Sequence, residues 1–402
     1  MKKKIIFIES LMKNGGGHHM DNLIETTLHF KYQNKIIWLL NKKFQKGNLF
    51  IPEEIILKSL VPEIKSNFFG RIFIKTYIFF LSIIFFTKKK KIFNFFKIFS
   101  KNFFTIPDFF NLEIYNFFNN QKFLPHDTIV IQSCRPKDVE LIFFLSELIE
   151  RMPKVIMRVL YPPKKKMFKD FYYHTEKLIE KKYKIKIFTE VTTVKNYIKK
   201  RLNYEVKNFT QIYTFYNREF PKDFTIGFLG ETRLDKGFAR IPNLINILSK
   251  KNIDCKFIIQ FSKNIYANTE NIKKQIIDIS KTNHNIKIID GYVDFWAYRN
   301  LLKEINIMPL LYDADKLNFV GSGIFYSCIT NEIPMIIPSN AKLLSEYLNY
   351  ESYEKANSDE EYANSIIKII NNYDFYLNEC KKFSASYKKD ISIDPLVNDL
   401  KN

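Results

Sequence analysis

Short apolar runs alternate with helix-patterned stretches in this chain, and the alternation starts twice. The first series is "KKIIFIES", a glycine loop with the helical stretch "GGGHHMDNLIETTLHF", then "NKIIWLL" and "DTIVIQS". It continues with the helix "PKDVELIFFLSELIER", the runs "KVIMRVLY" and "KIKIFTE", and the helix "VTTVKNYIKKRL". After residue 220 the same order resumes with "FTIGFLG", "KGFARIPNLINILSKK", "CKFIIQF", "TENIKKQIIDISKT" and "IKIID". "DFWAYRNLLKEI", "NIMPLLY", a Gly-Ser-Gly helix start and "IPMIIP" complete it. Alternation of this kind specifies parallel sheets with helices on both faces. A length of 402 residues suits two such units, and the proline-containing "YNREFPKD" at 216–223 is the natural hinge. The expected architecture is α/β, with two Rossmann-like, doubly wound domains at 1–218 and 219–402 facing across a cleft. In such sheets ligands sit beyond the carboxyl ends of the strands.

Charge divides along the same line. Residues 1–220 carry 40 Lys and Arg against 19 Asp and Glu, whereas residues 221–402 carry 23 of each, so the formal +21 belongs to the first half. A codon bias toward lysine would act on both halves, so the first half is built to face something anionic. Four scattered cysteines, Cys134, Cys255, Cys328 and Cys380, show no CxxC spacing and no histidine at ligand distance. Neither a disulfide framework nor a zinc site is expected, and a reducing compartment fits. The opening "MKKKIIFIES" has too short an apolar run for a signal peptide and reads as a first strand, so export is not expected.

One stretch, 68–118, breaks the alternation. Its apolar piece at 72–87 is 16 residues including Lys75, about 24 Å as a helix, which falls short of a membrane span. Beyond the lysines at 88–91, Ile92, Phe95, Phe96, Phe99 and Phe103 recur at helical spacing, with Asn94, Lys97 and Lys101 on the other side. That is the pattern of a helix lying in an interface, and equally of a core-packed helix pair in a Phe-rich protein.

Only 11 glycines occur, and eight of them gather in three stretches at or beside strand ends. "NGGGHHMDN" (14–22) places Gly16 and Gly17 where backbone can approach a ligand, with His18 and His19 as phosphate contacts or a base. It is not a GxGxxG fingerprint, which speaks against a nicotinamide enzyme. "GFLGETRLDKGF" (227–238) puts Arg233 and Lys236 on one short loop with Gly230, the arrangement a diphosphate requires. In "NFVGSGIFYS", Gly321 and Gly323 flank Ser322 at a helix start, where unpaired first-turn N–H groups can receive an anion.

"GxxRxxKG" at 230–237, "YRNLLKEINIMPLLY" at 298–312, "SGIFYSCITNEIPMIIP" at 322–338 and the opening "GGGH" together resemble the large retaining, nucleotide-sugar-dependent family of GT-B glycosyltransferases. The match runs almost continuously through the second half and touches the first only at its glycine loop and strand order. The resemblance implies a donor domain at 219–402 in which Arg233 and Lys236 contact the diphosphate, with Ser322 and Gly323 beneath the phosphates. It also implies an acceptor domain at 1–218 carrying the basic, Phe-rich insert. The resemblance also makes Ser327 and Gly321 donor-site positions. Family members usually carry a glutamate at the place of Ser327, which would hydrogen-bond a ribose or sugar hydroxyl. It is one of a pair seven residues apart, and here Phe319 stands eight before Ser327. A glycine is usual where Glu332 stands.

The expected activity is transfer of a sugar from a nucleotide-sugar, itself a co-substrate rather than a cofactor, to a lipid-linked or anionic glycan acceptor. The "DAD" at 313–315 follows a late strand, where cations replace a metal, so no metal is expected. A nucleotide-sugar epimerase of the same fold, and a catalytically silent sugar-nucleotide-binding relative, are the alternatives. Nucleic acid is not an expected partner, because the basic half holds no recognised binding module. An anionic membrane surface is expected beside the cytoplasmic, peripheral location.

Overall fold

The computed structural model describes residues 2–10, 18–41, 43–44, 51, 55–61, 112–160, 169–213, 215, 221, 223–262, 269–291, 293–313, 322–341 and 350–401. The Phe-rich stretch at 72–104, Gly16, Gly17, Gly321 and Asp315 lie outside them, as do the side chains of His18 and His19. Two compact units form, one from Met1–Gly15, Thr26–Phe209 and Asn398–Asn402, the other from Gly16–Glu25 and Thr210–Val397.

In the first unit, β1 (Lys3–Glu9), β2 (Asn34–Asn41), β3 (Ile56–Val61), β4 (Thr128–Ile131), β5 (Lys154–Arg158), β6 (Ile185–Thr189) and β7 (Val206–Asn208) make one sheet. Its order is β3-β2-β1-β4-β5-β6-β7, and every pair is parallel. Central strands of a parallel sheet are covered on both faces, so they read as continuous apolar runs rather than alternating ones. Ile5, Ile6, Phe7 and Ile8 of β1 are all buried, as are Ile129, Val130 and Ile131 of β4. The connecting helices are α1 (His18–Phe30), whose residues up to Glu25 belong to the second unit, α2 (Leu112–Asn119), α3 (Pro136–Leu148), α4 (Lys169–Glu180) and α5 (Thr192–Leu202).

The second unit holds β8 (Thr225–Phe228), β9 (Lys256–Phe261), β10 (Ile286–Asp290), β11 (Met308–Pro309), β12 (Met335–Pro338) and β13 (Tyr353–Ala356). They pair as β10-β9-β8 and β11-β12-β13, and an isolated parallel bridge, Ile226 to Ile307, joins the two sets side by side. Its helices are α6 (Ile241–Lys250), α7 (Glu270–Thr282), α8 (Phe295–Lys303), α9 (Gly323–Thr330), α10 (Asp359–Asn371) and α11 (Tyr373–Ile393). The core between them includes Ile226, Leu244, Leu248, Ile259, Ile307, Ile336, Tyr362 and Ile366. Strand order reverses beside β8: the chain builds outward through β9 and β10, then returns to lay β11 on the other flank. The first sheet reverses in the same way between β1 and β4. Each reversal opens a crevice at the carboxyl ends of two neighbouring strands.

α12 (Pro395–Lys401) ends in the first unit. Asp394 caps it by accepting from the Leu396 N–H at 2.7 Å, and Pro395 fills the first helical position, where its missing N–H costs nothing. Lys3 Nζ donates to the Leu400 carbonyl at 2.8 Å and Lys154 Nζ to the Asp399 carbonyl at 2.6 Å. Lys186 closes on the Asp399 carboxylate. Among the described residues no helix is long and apolar enough to cross a membrane.

Candidate functional site

The crevice beside β8 is where two of the sequence motifs, the loop after β8 and the start of α9, meet. It is lined by Gly230, Glu231, Thr232, Lys236, Gln260, Tyr312 and Ile324, among others. The loop leaving β8 is fixed by its own polar groups: Gly230 N–H donates to Gln260 Oε1 at 2.9 Å, and Thr232 Oγ1 meets Ser262 Oγ at 2.7 Å. Gly230 has φ of +106°, and a Cβ there would stand 2.8 Å from Ile324 Cδ1, so the loop lies directly against the start of α9. Absence of a side chain at Gly230 is what lets these two segments meet.

Arg233 and Lys236 share the loop but not the same situation. Arg233 Nε donates to Asp235 Oδ1 at 2.9 Å, its Nη2 closes on Asp235 Oδ2, and Nη1 lies 3.3 Å from Glu231 Oε2. Its charge is already answered by two carboxylates. Lys236 has no hydrogen-bonded carboxylate among the described residues, and its ammonium stands 5.7 Å above the Tyr312 ring. Burial pulls its pKa below the ordinary lysine value, against the opposing pull of Glu231. A partly buried cation without a paired carboxylate favours an incoming anion more than a paired one does.

Tyr312 ties the two motifs together. Its ring carries Lys236 on one side and its hydroxyl meets Ser322 Oγ at 3.1 Å. Ser322 is the N-cap of α9, accepting from the Phe325 N–H at 3.4 Å. The hydroxyl of Ser322 is therefore spent on the helix, and the groups left for an anion are the first-turn N–H donors of Gly323 and Ile324. The structure thus brings together Gly230, Lys236, Ser322 and Gly323, places Arg233 at the rim of the loop, and adds Tyr312. The sequence reading missed Tyr312, whose only signal was its place at the end of the strand "NIMPLLY".

No protein-family model matches the sequence, and no curated protein matches it. Solved structures do. HepE of Anabaena in complex with UDP superposes over 97% of this chain and 95% of its own, with TM-score 0.60 and 10% identity. TarM of S. aureus, solved as a mutant with fondaparinux, alpha-GlcNAc-glycerol and UDP, matches over 97% and 96%, with TM-score 0.58 and 12% identity. Sucrose-phosphate synthase of Thermosynechococcus elongatus matches over 97% and 95%, with TM-score 0.57 and 8% identity. The chain has the GT-B fold.

Two departures from the GT-B family pattern now have a physical setting. Ser327 is 4% exposed; its hydroxyl donates to the Gly323 carbonyl at 3.0 Å and is also hydrogen-bonded to the Tyr298 side chain. In Ser327→Glu a carboxylate would enter a closed helix face, at a cost of about 2 kcal/mol. A lower chemical-denaturation midpoint for that variant is the expected result, and an unchanged midpoint would show that the position opens to solvent.

Glu332 occupies the place of the usual glycine, and its φ is +54°. It sits one residue past the C-cap of α9, with its N–H on the Ile329 carbonyl at 3.3 Å and the Ile333 N–H on Cys328 at 2.9 Å. That is a Schellman closure, whose left-handed residue is normally glycine because a Cβ is strained there. Glu332→Gly is expected to stabilise the protein by about 0.5–1 kcal/mol, read as a raised Tm.

The first unit has its own polar cluster at the carboxyl ends of β1 and β4. Ser10 Oγ donates to Asp138 Oδ1 at 2.5 Å, Arg135 Nη2 donates to Ser10 Oγ at 2.5 Å, and Asn41 Nδ2 reaches the Ser10 carbonyl at 2.9 Å. Just beyond β5 and β6, Arg158 and Glu190 are buried, and burial pushes the Glu190 carboxyl up to about 7 against the opposing charge of Arg158.

Proposed function

We propose that the protein is a glycosyltransferase that takes a sugar from a nucleotide-sugar bound in the second unit. The single observation behind this is the β8 crevice. There Lys236, lacking a bonded carboxylate among the described residues, and the open N–H groups of α9 converge at the strand-order reversal of a GT-B fold. Breaking the glycosidic bond leaves negative charge on the departing diphosphate. A fixed cation and helix N–H donors stabilise that charge most when it is fully developed. HepE, TarM and sucrose-phosphate synthase share the architecture, and HepE and TarM were solved with UDP. Incubation with a panel of nucleotide-sugars should release nucleoside diphosphate from at least one of them, detected by coupled assay. Binding of none of the panel, by thermal shift, would sink the assignment. An epimerase would instead return an altered nucleotide-sugar with no diphosphate released.

The acceptor is assigned to the basic first half, residues 1–218, as a lipid-linked or anionic glycan of the kind used in cell-envelope synthesis. The net charge confined to residues 1–220 supports this, together with the polar cluster of Ser10, Arg135 and Asp138. The same charge, with the lysine- and phenylalanine-rich stretch at 72–104, supports peripheral placement on an anionic membrane surface from the cytoplasmic side. Co-sedimentation with liposomes should rise with anionic lipid and fall with added salt. Equal recovery on neutral liposomes would leave the charge to a soluble acidic acceptor.

A further inference from the structure

A second concave surface in the same unit lies at the other end of the strands. We propose that it is a binding site for an uncharged stretch of glycan, separate from the crevice where the donor is placed. The groove encloses about 670 Å³ and is lined by Tyr350, Glu351, Tyr353, Glu354, Lys355, Lys368, Asn372, Phe375 and Tyr376. Cavities of a few hundred to a thousand cubic ångströms take ligands of several rings. Tyr350 and Glu351 precede the first residue of β13, while Lys368 and Asn372 stand at the end of α10, so the groove opens at the amino-terminal edge of the sheet. Nothing in the donor crevice accounts for it.

Its chemistry points to hydroxyl-rich, neutral rings. Two carboxylates, Glu351 and Glu354, face two ammoniums, Lys355 and Lys368, so the lining carries no net charge to attract phosphate or a polyanion. Phe375 is 47% exposed although it is large and apolar, and its edge-to-face contact with Tyr376, centroids 5.4 Å apart, fixes the ring in place. A sugar presents a face of polarised C–H bonds, which suits the electron-rich face of such a ring. Beside it, Glu354 Oε1 accepts from Lys368 Nζ at 2.8 Å and from the Tyr376 hydroxyl. That holds the carboxylate rigid and leaves its Oε2 without a partner among the described residues. A pre-oriented acceptor next to an exposed aromatic ring, with the Asn372 amide in the same lining, provides for paired sugar hydroxyls at little ordering cost.

The choice of a glycan as occupant rests on the glycosyltransferase reading, in which the groove would hold acceptor or product chain away from the reacting end. The test separates the two ideas. The full chain is titrated with maltohexaose, cellohexaose and chitohexaose, and separately with UDP, by calorimetry. At least one hexasaccharide should bind saturably, and Phe375→Ala and Glu354→Gln should each weaken it tenfold or more while leaving UDP affinity unchanged. Lys236→Ala should weaken UDP and leave the oligosaccharide untouched. Binding of none of the three sugars, or binding that both groove variants retain in full, overturns the proposal, whatever the UDP result. Preference for a carboxylated oligosaccharide that fades with salt overturns it too, because a neutral lining cannot produce that preference.

Discussion

Lys236→Ala is expected to weaken binding of a nucleoside diphosphate by ten- to a hundredfold, while Arg233→Ala weakens it several-fold at most. A hydrogen bond to a charged group contributes about 1.5–3 kcal/mol, which sets the first figure. The sequence assigns both cations to the diphosphate without ranking them. The structure separates them, because an anion approaching Arg233 must compete with Asp235 and Glu231. Among the described residues Lys236 faces no bonded carboxylate, and it sits in a less solvated position, where its field is screened less. Calorimetric titration of both variants with UDP decides the matter. Equal losses, or a larger loss for Arg233, would mean that the carboxylates release the arginine on binding. A pH profile offers a second reading. Burial lowers the Lys236 ammonium pKa, so affinity should decline at lower alkaline pH than an ordinary lysine would give, and Lys236→Ala should lose that limb.

Gly237→Ala should cost about 3–5 kcal/mol of folding stability and lower Tm by roughly 10 °C. Gly237 has φ of +76°, and a Cβ there would lie 2.1 Å from the Leu311 carbonyl oxygen and 2.4 Å from Leu311 Cβ. The obstacle is backbone of the chain leaving β11, which cannot swing away as a side-chain tip would. Asp313 N–H also donates to the Asp235 carbonyl at 2.9 Å, so the loop and the chain beyond β11 are bonded as well as packed. Pushing them apart would displace Lys236 and Tyr312 together. The variant should therefore lose diphosphate affinity along with stability, in contrast to Lys236→Ala, which should unfold at nearly the wild-type temperature. A Gly237→Ala protein with unchanged Tm would show that the loop has room to relax.

Much of this was legible in the residues, and the misses have physical causes. Fully buried strands such as "KKIIFIE" and "CKFIIQF" announce themselves as uninterrupted apolar runs. Short or half-exposed strands do not: β7 is "VKN" and β13 is "YEKA", and both are held by neighbours rather than by their own pattern. Two helix starts near the end carried readable signals that went unused. Ser358 and Glu361 form a capping box at α10, with Glu361 N–H on Ser358 Oγ at 3.2 Å, and Asp394-Pro395 opens α12. At the site, the sequence located the loop and the helix start but ranked neither cation, because rank depends on which carboxylates fold back onto them. Nor does any local pattern mark Arg299, buried against Glu25 of α1, nearly three hundred positions away in the chain.

The placement of α12 has a consequence for how the protein comes into being. Lys3, Lys154 and Lys186 lie on three strands of the first sheet, and their partners are Leu400 and Asp399. During synthesis those strands emerge long before their partners do. The first unit therefore gains these contacts only after the second unit has been made, and until then the nearby acid at that edge is Asp127. Lys3 shows the stress of that edge even when complete, its pKa lowered to about 8 by burial and by Lys154. The first unit is thus completed by residues made after the second, so the two units cannot mature strictly in chain order.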